Sequence, residues 1–259
     1  MSTGPRWRWR HSALVLVTLI GTADAAQAQR GGRSRTPEFQ ANVPYDGRYT
    51  FVRVKYDIPQ NFNSFRGVDV KWSHDYPRGE RHFTKIISEL STTRVRTDAS
   101  NILALDDPEL CKYPIAYMAE PGFWHPSPKE VDGLQKYLAK GGFIIFDDFA
   151  AEHWMNFEEQ MRKVLPKAKA ILLTPDHRIF DAFYRVKSLE YVHPYYGMKS
   201  EFYGYYEDND PGKRLIAMVN YNNDMSEYWE FSDVGLFPVG GTNEAYKLGV
   251  NYIIYALTR

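Results

Sequence analysis

The sequence contains very little cysteine: Cys111 is the only one among 259 residues. A single cysteine excludes an intrachain disulfide framework and a cysteine-rich metal centre. It is the only possible thiol nucleophile, yet it comes before a predicted strand. A glutaminase would need its cysteine at the tight turn that follows a strand, with histidine and glutamate nearby. We therefore interpret Cys111 as a small packing residue.

The sequence also lacks an excess of charge of either sign. It contains 32 Lys and Arg against 32 Asp and Glu, so the formal net charge is zero. Binding to phosphates requires a basic surface, so the balance argues against nucleic acid as the main partner. Beyond the N-terminal region, no apolar run is long enough to span a bilayer, and we expect no membrane span in the mature chain.

The N-terminus has the pattern of a secretory signal. Three arginines precede a short apolar core, and the small-x-small site Ala26-Gln27-Ala28 follows it. We predict export by the general secretory route, to the periplasm or the medium; an uncleaved N-terminal anchor is the alternative. The predicted division is a signal peptide (1–28), a flexible linker (29–48) and one α/β domain (49–259) with a Tyr-rich insertion near 188–212.

Apolar runs of β-forming residues alternate with helical periodicity along the domain. Strands are predicted at 51–56, near Val95, and at 113–118, 143–146, 170–173 and 215–219, with helices at 78–91, 128–140 and 154–165 and at the C-terminus. The order β-α-β-α-β-α-β predicts an α/β fold: a mostly parallel open sheet with helices on both faces, of the Rossmann or flavodoxin type.

The run Phe143-Ile144-Ile145-Phe146 ends in two carboxylates, Asp147 and Asp148. Ligands of open α/β sheets bind at the carboxyl ends of the strands. The pair has three interpretations: a general base or metal ligand, a hydrogen-bonding site for a polar ligand such as a sugar, or a helix cap beside a solvated carboxylate.

The loop that follows the first strand carries the densest polar cluster, centred on His74, Asp75 and Arg78. A local ion-pair network, with Asp75 as a helix cap, is the simpler interpretation. The spacing does not match a metal motif, so no metal ligand is assigned. Because this loop and Asp147 are predicted at the same sheet edge, we expect one pocket there. Its candidate ligand-binding residues are Asp57, His74, Asp75, Arg78, Glu120, Asp147, Asp148 and Asn220, of which Asp147, Asp148 and His74 are the catalytic candidates.

Six segments in this order resemble a bacterial family, the domain-of-unknown-function family four-one-five-nine. They are Phe51-Val52-Arg53-Val54-Lys55-Tyr56, His74-Asp75-Tyr76-Pro77-Arg78, Leu105-Asp106-Asp107-Pro108-Glu109-Leu110, Gly141-Gly142-Phe143 with Phe146-Asp147-Asp148-Phe149, and Leu248-Gly249-Val250-Asn251-Tyr252. The family resembles a branch of the class I glutamine-amidotransferase-like fold, which implies the same sheet architecture. It implies no activity and no cofactor.

Two functional hypotheses remain open at this stage. The first is an exported, non-catalytic domain that binds a polar small molecule, a glycan or a protein partner in the bacterial envelope. It follows from the missing nucleophile and from a polar sheet edge near the Tyr-rich segment, whose rings are suited to stacking on sugars or to a protein interface. The second is a carboxylate- or metal-dependent hydrolase of glycans or peptides, with Asp147 or Asp148 as base and His74 assisting.

Overall fold

A computed structural model describes residues 39–58, 63–64 and 67–259. The predicted signal peptide and the first part of the predicted linker lie outside these residues. Within them, the elements in chain order are β1 (Val52–Lys55), β2 (Asn63–Ser64), β3 (Gly67–Val68), α1 (Arg78–Leu90), β4 (Asn101–Ala104), β5 (Ile115–Ala119), α2 (Pro128–Ala139), β6 (Phe143–Phe149), α3 (His153–Val164), β7 (Ile171–Leu172), β8 (Glu201–Tyr206), β9 (Leu215–Tyr221), α4 (Met225–Glu230) and α5 (Val239–Thr258).

The main sheet has seven strands in the order β4-β1-β5-β6-β9-β8-β7. The pairs from β4 through β9 are parallel, whereas β8 is antiparallel to both β9 and β7. The prediction of a mostly parallel α/β sheet is therefore confirmed. Because β1, β5, β6 and β9 run in one direction, their carboxyl ends meet at one edge.

The strands that border this parallel core differ from the prediction. Val95 forms only an isolated bridge with Tyr49, and the edge strand next to β1 is β4 instead. Asn42 and Val43, near the end of the predicted linker, hydrogen-bond to Ile102 and Asn101 of β4. The predicted strand at 170–173 exists as β7, but it pairs with β8, which forms within the predicted Tyr-rich insertion.

The helices cover both faces of the sheet, as predicted. Alternate strand residues divide between two apolar clusters, because successive side chains of a strand point to opposite faces. On one face Phe51, Tyr117 and Phe143 pack with α1, α4 and α5. On the other, Val54 and Phe146 pack with α2 and α3. Both faces of the parallel strands are therefore dry, which explains their near-continuous apolar sequence.

Three local predictions are wrong. Asp75 does not cap α1, because Pro77 holds the N-cap position and no side chain bonds to the free amides there. Neither Asp147 nor Asp148 caps α3, whose N-cap residue is Glu152. Cys111 is not a packing residue, because it is exposed in the 3-10 turn Pro108–Lys112. Among the helices of the described residues, none combines the length and apolarity needed to cross a membrane.

Candidate functional site

A β-bulge separates the two carboxylates at the end of β6. Phe146 pairs with Val219 and Phe149 pairs with Tyr221, so three steps along β6 match two along β9. The extra residue is accommodated by Asp148, whose φ of 61° is in the left-handed region. At the bulge, the side chains of Asp147 and Asp148 lie in different environments, so their carboxylates have different roles.

Asp147 is completely buried and its carboxylate is fully bonded. Oδ2 accepts hydrogen bonds from the Tyr117 hydroxyl (2.7 Å) and the Met225 amide (2.9 Å), and Oδ1 accepts one from Asn220 Nδ2 (3.0 Å). Tyr252 donates to Asn220 Oδ1 at 3.0 Å. Burial raises the pKa of Asp147 to about 6, although these three donors oppose the shift. The network attaches the start of α4 to β6, which is a structural task.

Asp148 lies on the open side of the bulge, where it meets His74 and Glu120. His74 Nδ1 is 3.4 Å from Asp148 Oδ2 and 3.4 Å from Glu120 Oε1. Only 8% of Asp148 is exposed, yet its Oδ2 accepts no hydrogen bond from any residue that the structure describes. Buried polar atoms are almost always bonded, so this oxygen is an exception that a bound species would explain.

His74 is held from its other side by Asp69. His74 Nε2 is 2.9 Å from Asp69 Oδ1, and Lys71 Nζ bonds the second oxygen of Asp69 at 2.8 Å. The same ammonium is 3.4 Å from Glu120 Oε1. Burial alone would lower the pKa of His74, but the neighbouring carboxylates of Asp148, Asp69 and Glu120 raise it well above the usual value.

A second acidic group, at the start of α4, lies next to the first. The Ser226 hydroxyl bonds to Asp75, and Tyr195 donates from the Tyr-rich segment to Glu227. Carboxylate oxygens of Asp75, Asp148 and Asp224 lie within 4.8 Å of one another, as do those of Asp75, Glu227 and Glu230. Like charges at this separation are costly, so the edge favours species that carry positive charge.

The pKa values show the same crowding. Burial, followed by the charge of Glu120, raises the pKa of Asp148 to about 8. Burial, followed by the charge of Asp75, raises that of Glu227 to about 9 and that of Glu230 to about 7. These carboxyl groups are partly protonated at neutral pH, so the site can supply a proton as well as accept one.

A cleft of about 610 Å³ opens over these groups. Its polar lining consists of Lys71, His74, Glu120, Asp148, Glu152, Asp224 and Glu227, and its ring-bearing residues include Phe123, His153, His193, Tyr195 and Tyr196. Tyr195 and Tyr196 are 47% and 68% exposed. The cleft thus combines a carboxylate floor with an aromatic rim.

Three acidic residues around the cleft have backbone conformations that are uncommon outside glycine. The φ angles of Asp75, Glu120 and Asp148 are 63°, 49° and 61°. Such conformations cost free energy and occur preferentially at functional sites, where the surrounding structure maintains them. Tyr56 supports Glu120 by donating its hydroxyl to the carbonyls of Ala119 and Glu120.

The structure divides the residues predicted for the pocket. His74, Glu120 and Asp148 line the cleft. A carboxylate oxygen of Asp75 lies within 4.8 Å of those of Asp148 and Asp224, which also line it. Asp147 and Asn220 lie behind it in the buried network. Asp57 is exposed and does not line the cleft, and Arg78 pairs with Asp233 instead.

Several residues at the cleft were not singled out from the sequence: Asp69, Lys71, His153, His193, Asp224, Glu227 and Glu230. Asp224 was recognisable as part of the polar run that ends β9. The others lie in loops or helices beyond the residues that directly end a predicted strand, and no motif in the sequence identifies them.

Comparison with known families adds one assignment. The family described as Domain of unknown function (DUF4159) matches residues 50–257, which is most of the chain and includes every element of the main sheet. Among curated proteins no match was found. The matched range covers the cleft and both acidic groups, so the site lies inside the family's domain. The chain therefore belongs to the DUF4159 family.

Proposed function

We propose that the cleft binds a hydroxyl-rich ligand of the glycan type, and that the protein acts as an exported binding domain in the bacterial envelope. The observation that carries this proposal is the combination of carboxylate acceptors on the floor with exposed tyrosine rings on the rim. Carboxylates bind sugar hydroxyls, and aromatic faces pack against the apolar faces of sugar rings. The N-terminal signal pattern supports export.

The charge of the cleft narrows the ligand class. Five carboxyl groups line it, those of Glu120, Asp148, Glu152, Asp224 and Glu227, against the basic side chains of Lys71 and His74. Neutral sugars or sugars with free amines are compatible with this excess of carboxyl groups, whereas acidic sugars would add negative charge to a site whose carboxyl groups are already crowded.

We also propose that the fold belongs to the class I glutamine-amidotransferase-like superfamily; the motif resemblance and the mostly parallel sheet support this proposal. The glutaminase reaction does not follow from this placement. Cys111 precedes β5 and is exposed, whereas the carboxyl end of β6 carries Asp147 and Asp148.

Calorimetric titration tests the binding proposal, with neutral oligosaccharides, glucosamine oligomers and oligogalacturonate as probes. We expect one of the first two to bind and the acidic oligomer not to bind. Tyr196→Ala should remove about 0.5–1.5 kcal/mol of ring contact, a roughly two- to ten-fold weakening. Tyr45→Ala is the matched control, because Tyr45 is 44% exposed and does not line the cleft. Equal effects of the two variants, or no binding by any sugar, would overturn the proposal.

A hydrolase is the second candidate, and the His74–Asp148 pair is the observation that favours it. A carboxyl group with a pKa near 8 beside a histidine can donate a proton to a leaving group at neutral pH. Product analysis with the same sugars and with peptides separates the candidates. Turnover that Asp148→Asn abolishes while the fold is retained would support hydrolysis; binding without turnover would support the binding domain.

A further inference from the structure

The ligand atoms of His74, Glu120 and Asp148 are spaced as a metal ion would space them. Nδ1 of His74 is 3.4 Å from each of the two carboxylate oxygens. A tetrahedral ion with bonds of about 2.0–2.1 Å keeps its ligand atoms about 3.3 Å apart. All three atoms lie within 4.8 Å of one another, so an ion can bind with small side-chain adjustments.

The buried oxygen of Asp148 is a second observation. Its ionic contact is His74 Nδ1 at 3.4 Å, and within the part of the chain that the structure describes Oδ2 accepts no contact with the geometry of a hydrogen bond. Leaving a buried acceptor unsatisfied costs roughly 1–3 kcal/mol, and more for a charged group. A cation bound to this oxygen would remove that cost.

The partner of the other ring nitrogen provides a third observation. Asp69 Oδ1 lies 2.9 Å from His74 Nε2. Histidines that bind metal usually donate their second N–H to a carboxylate, which orients the ring and fixes the tautomer. With the Nε2 proton donated to Asp69, the neutral ring presents the Nδ1 lone pair to the two carboxylates.

Lys71 does not neutralise Asp148. Its ammonium bonds to Asp69 at 2.8 Å and lies 3.4 Å from Glu120 Oε1, but Asp148 Oδ2 has no lysine partner. The ammonium also lies 4.5 Å from the centre of the Phe123 ring. Lys71 therefore compensates one side of the cluster and leaves the side of Asp148 open.

We propose that His74, Glu120 and Asp148 bind one divalent transition-metal ion, of the class of Zn²⁺ or Mn²⁺, at the floor of the cleft. One imidazole and two carboxylates suit these ions, whereas Ca²⁺ and Mg²⁺ prefer oxygen ligands alone. All three residues line the cleft, so the next coordination position faces it. This deepens the proposed function, because a sugar hydroxyl or a water would complete the coordination there.

Titration of the chelator-treated full chain with ZnCl₂ and with MnCl₂, in the absence of any sugar, tests the ion site directly. We expect one ion per chain for at least one metal, measured by calorimetry and by metal analysis after dialysis. His74→Ala and Asp148→Asn should each weaken binding at least ten-fold. Asp69→Asn should weaken it ten- to a hundred-fold without removing a ligand. Asp69 is partly exposed, so this variant keeps the test valid if the buried ones fail to fold.

His125→Ala is the matched control, since His125 is exposed and does not line the cleft. It should leave the affinity unchanged. Two results would overturn the ion site. The first is the absence of stoichiometric binding of either metal. The second is a loss of affinity in His125→Ala as large as the loss in His74→Ala and Asp69→Asn. No sugar is present in this titration, so its outcome does not depend on whether the cleft binds glycans. Failure of the ion site and failure of the proposed glycan binding can therefore be distinguished.

Discussion

The buried ion pair between Arg53 and Glu80 gives the sharpest prediction about stability. Both side chains are essentially inaccessible, and the guanidinium bonds both carboxylate oxygens, at 2.8 and 3.2 Å. A third donor of Arg53 bonds the carbonyl of Trp72 at 3.1 Å. Rings of Phe51 and Tyr117 lie 6.0 and 5.4 Å from the guanidinium carbon. Arg53 thus connects β1 to α1 and to the 3-10 turn that precedes His74.

The perturbation is Glu80→Gln, which preserves the side-chain volume but leaves a buried guanidinium beside a neutral amide. Removing one partner of a buried pair costs about 3–5 kcal/mol, because the remaining charge is uncompensated. Domains have a total stability of about 5–15 kcal/mol, so the loss is a large share of it. The double variant Arg53→Met with Glu80→Leu removes both charges together. It should lose less than the sum of the two single variants.

Urea unfolding at neutral pH, followed by tryptophan fluorescence, measures these free energies. Glu158→Gln is the matched control, because Glu158 forms an exposed i,i+4 pair with Arg162 on α3. Exposed helix pairs of this kind contribute about 0.3–0.5 kcal/mol. If Glu80→Gln destabilises the protein no more than Glu158→Gln does, the reasoning about the buried pair is refuted. An additive double variant would also contradict it.

Two further predictions concern packing and pH. Gly249→Ala should destabilise by about 1–3 kcal/mol, because its Cβ would lie 2.5 Å from a ring carbon of Phe83. Gly240→Ala is the control: it lies in the first turn of α5 with no atom within 4 Å of its added Cβ, so its stability should change by less than about 0.5 kcal/mol, and equal unfolding midpoints of the two variants would contradict this. Burial lowers the pKa of His193 to about 4. Between about pH 6.5 and 4 the unfolded chain therefore binds a proton that the native state does not bind. The free energy of unfolding should consequently decrease as the pH falls through this range. From pH 7 to 4.5 the wild type should therefore lose roughly 1–3 kcal/mol more than His193→Gln in thermal or urea unfolding, and parallel pH profiles would reject this account.

The parallel strands were predictable because burial on both faces of the sheet requires nearly all of their residues to be apolar. The segments around Val54, Met118 and Phe146 are apolar without alternation, and only a buried parallel strand combines that pattern with intervening amphipathic helices. The edge strand β4 was not predictable. Its four residues follow a polar stretch, and their pairing with β1 depends on contacts far away in the sequence.

The candidate site was predictable in its location and not in its internal arrangement. The rule that strand ends meet at one edge is sufficient to bring Glu120 and Asp148 together with the His74 loop. The inward direction of Asp147 follows the alternation of the strand, but the placement of Asp148 depends on a one-residue bulge, which no periodicity indicates. The contributions of Asp224 and Glu227 depend on α4, whose start is fixed by the buried Asp147 network.

The position of β9 in the sheet has a consequence for synthesis of the protein. Every residue of β6 is buried in the native state, and its second neighbour is β9, which begins only at Leu215. A chain that lacks the residues of β9 must therefore keep an apolar, unpaired strand edge. Such edges promote association between chains. Truncated products that stop before Leu215 should consequently aggregate, and the complete domain should not.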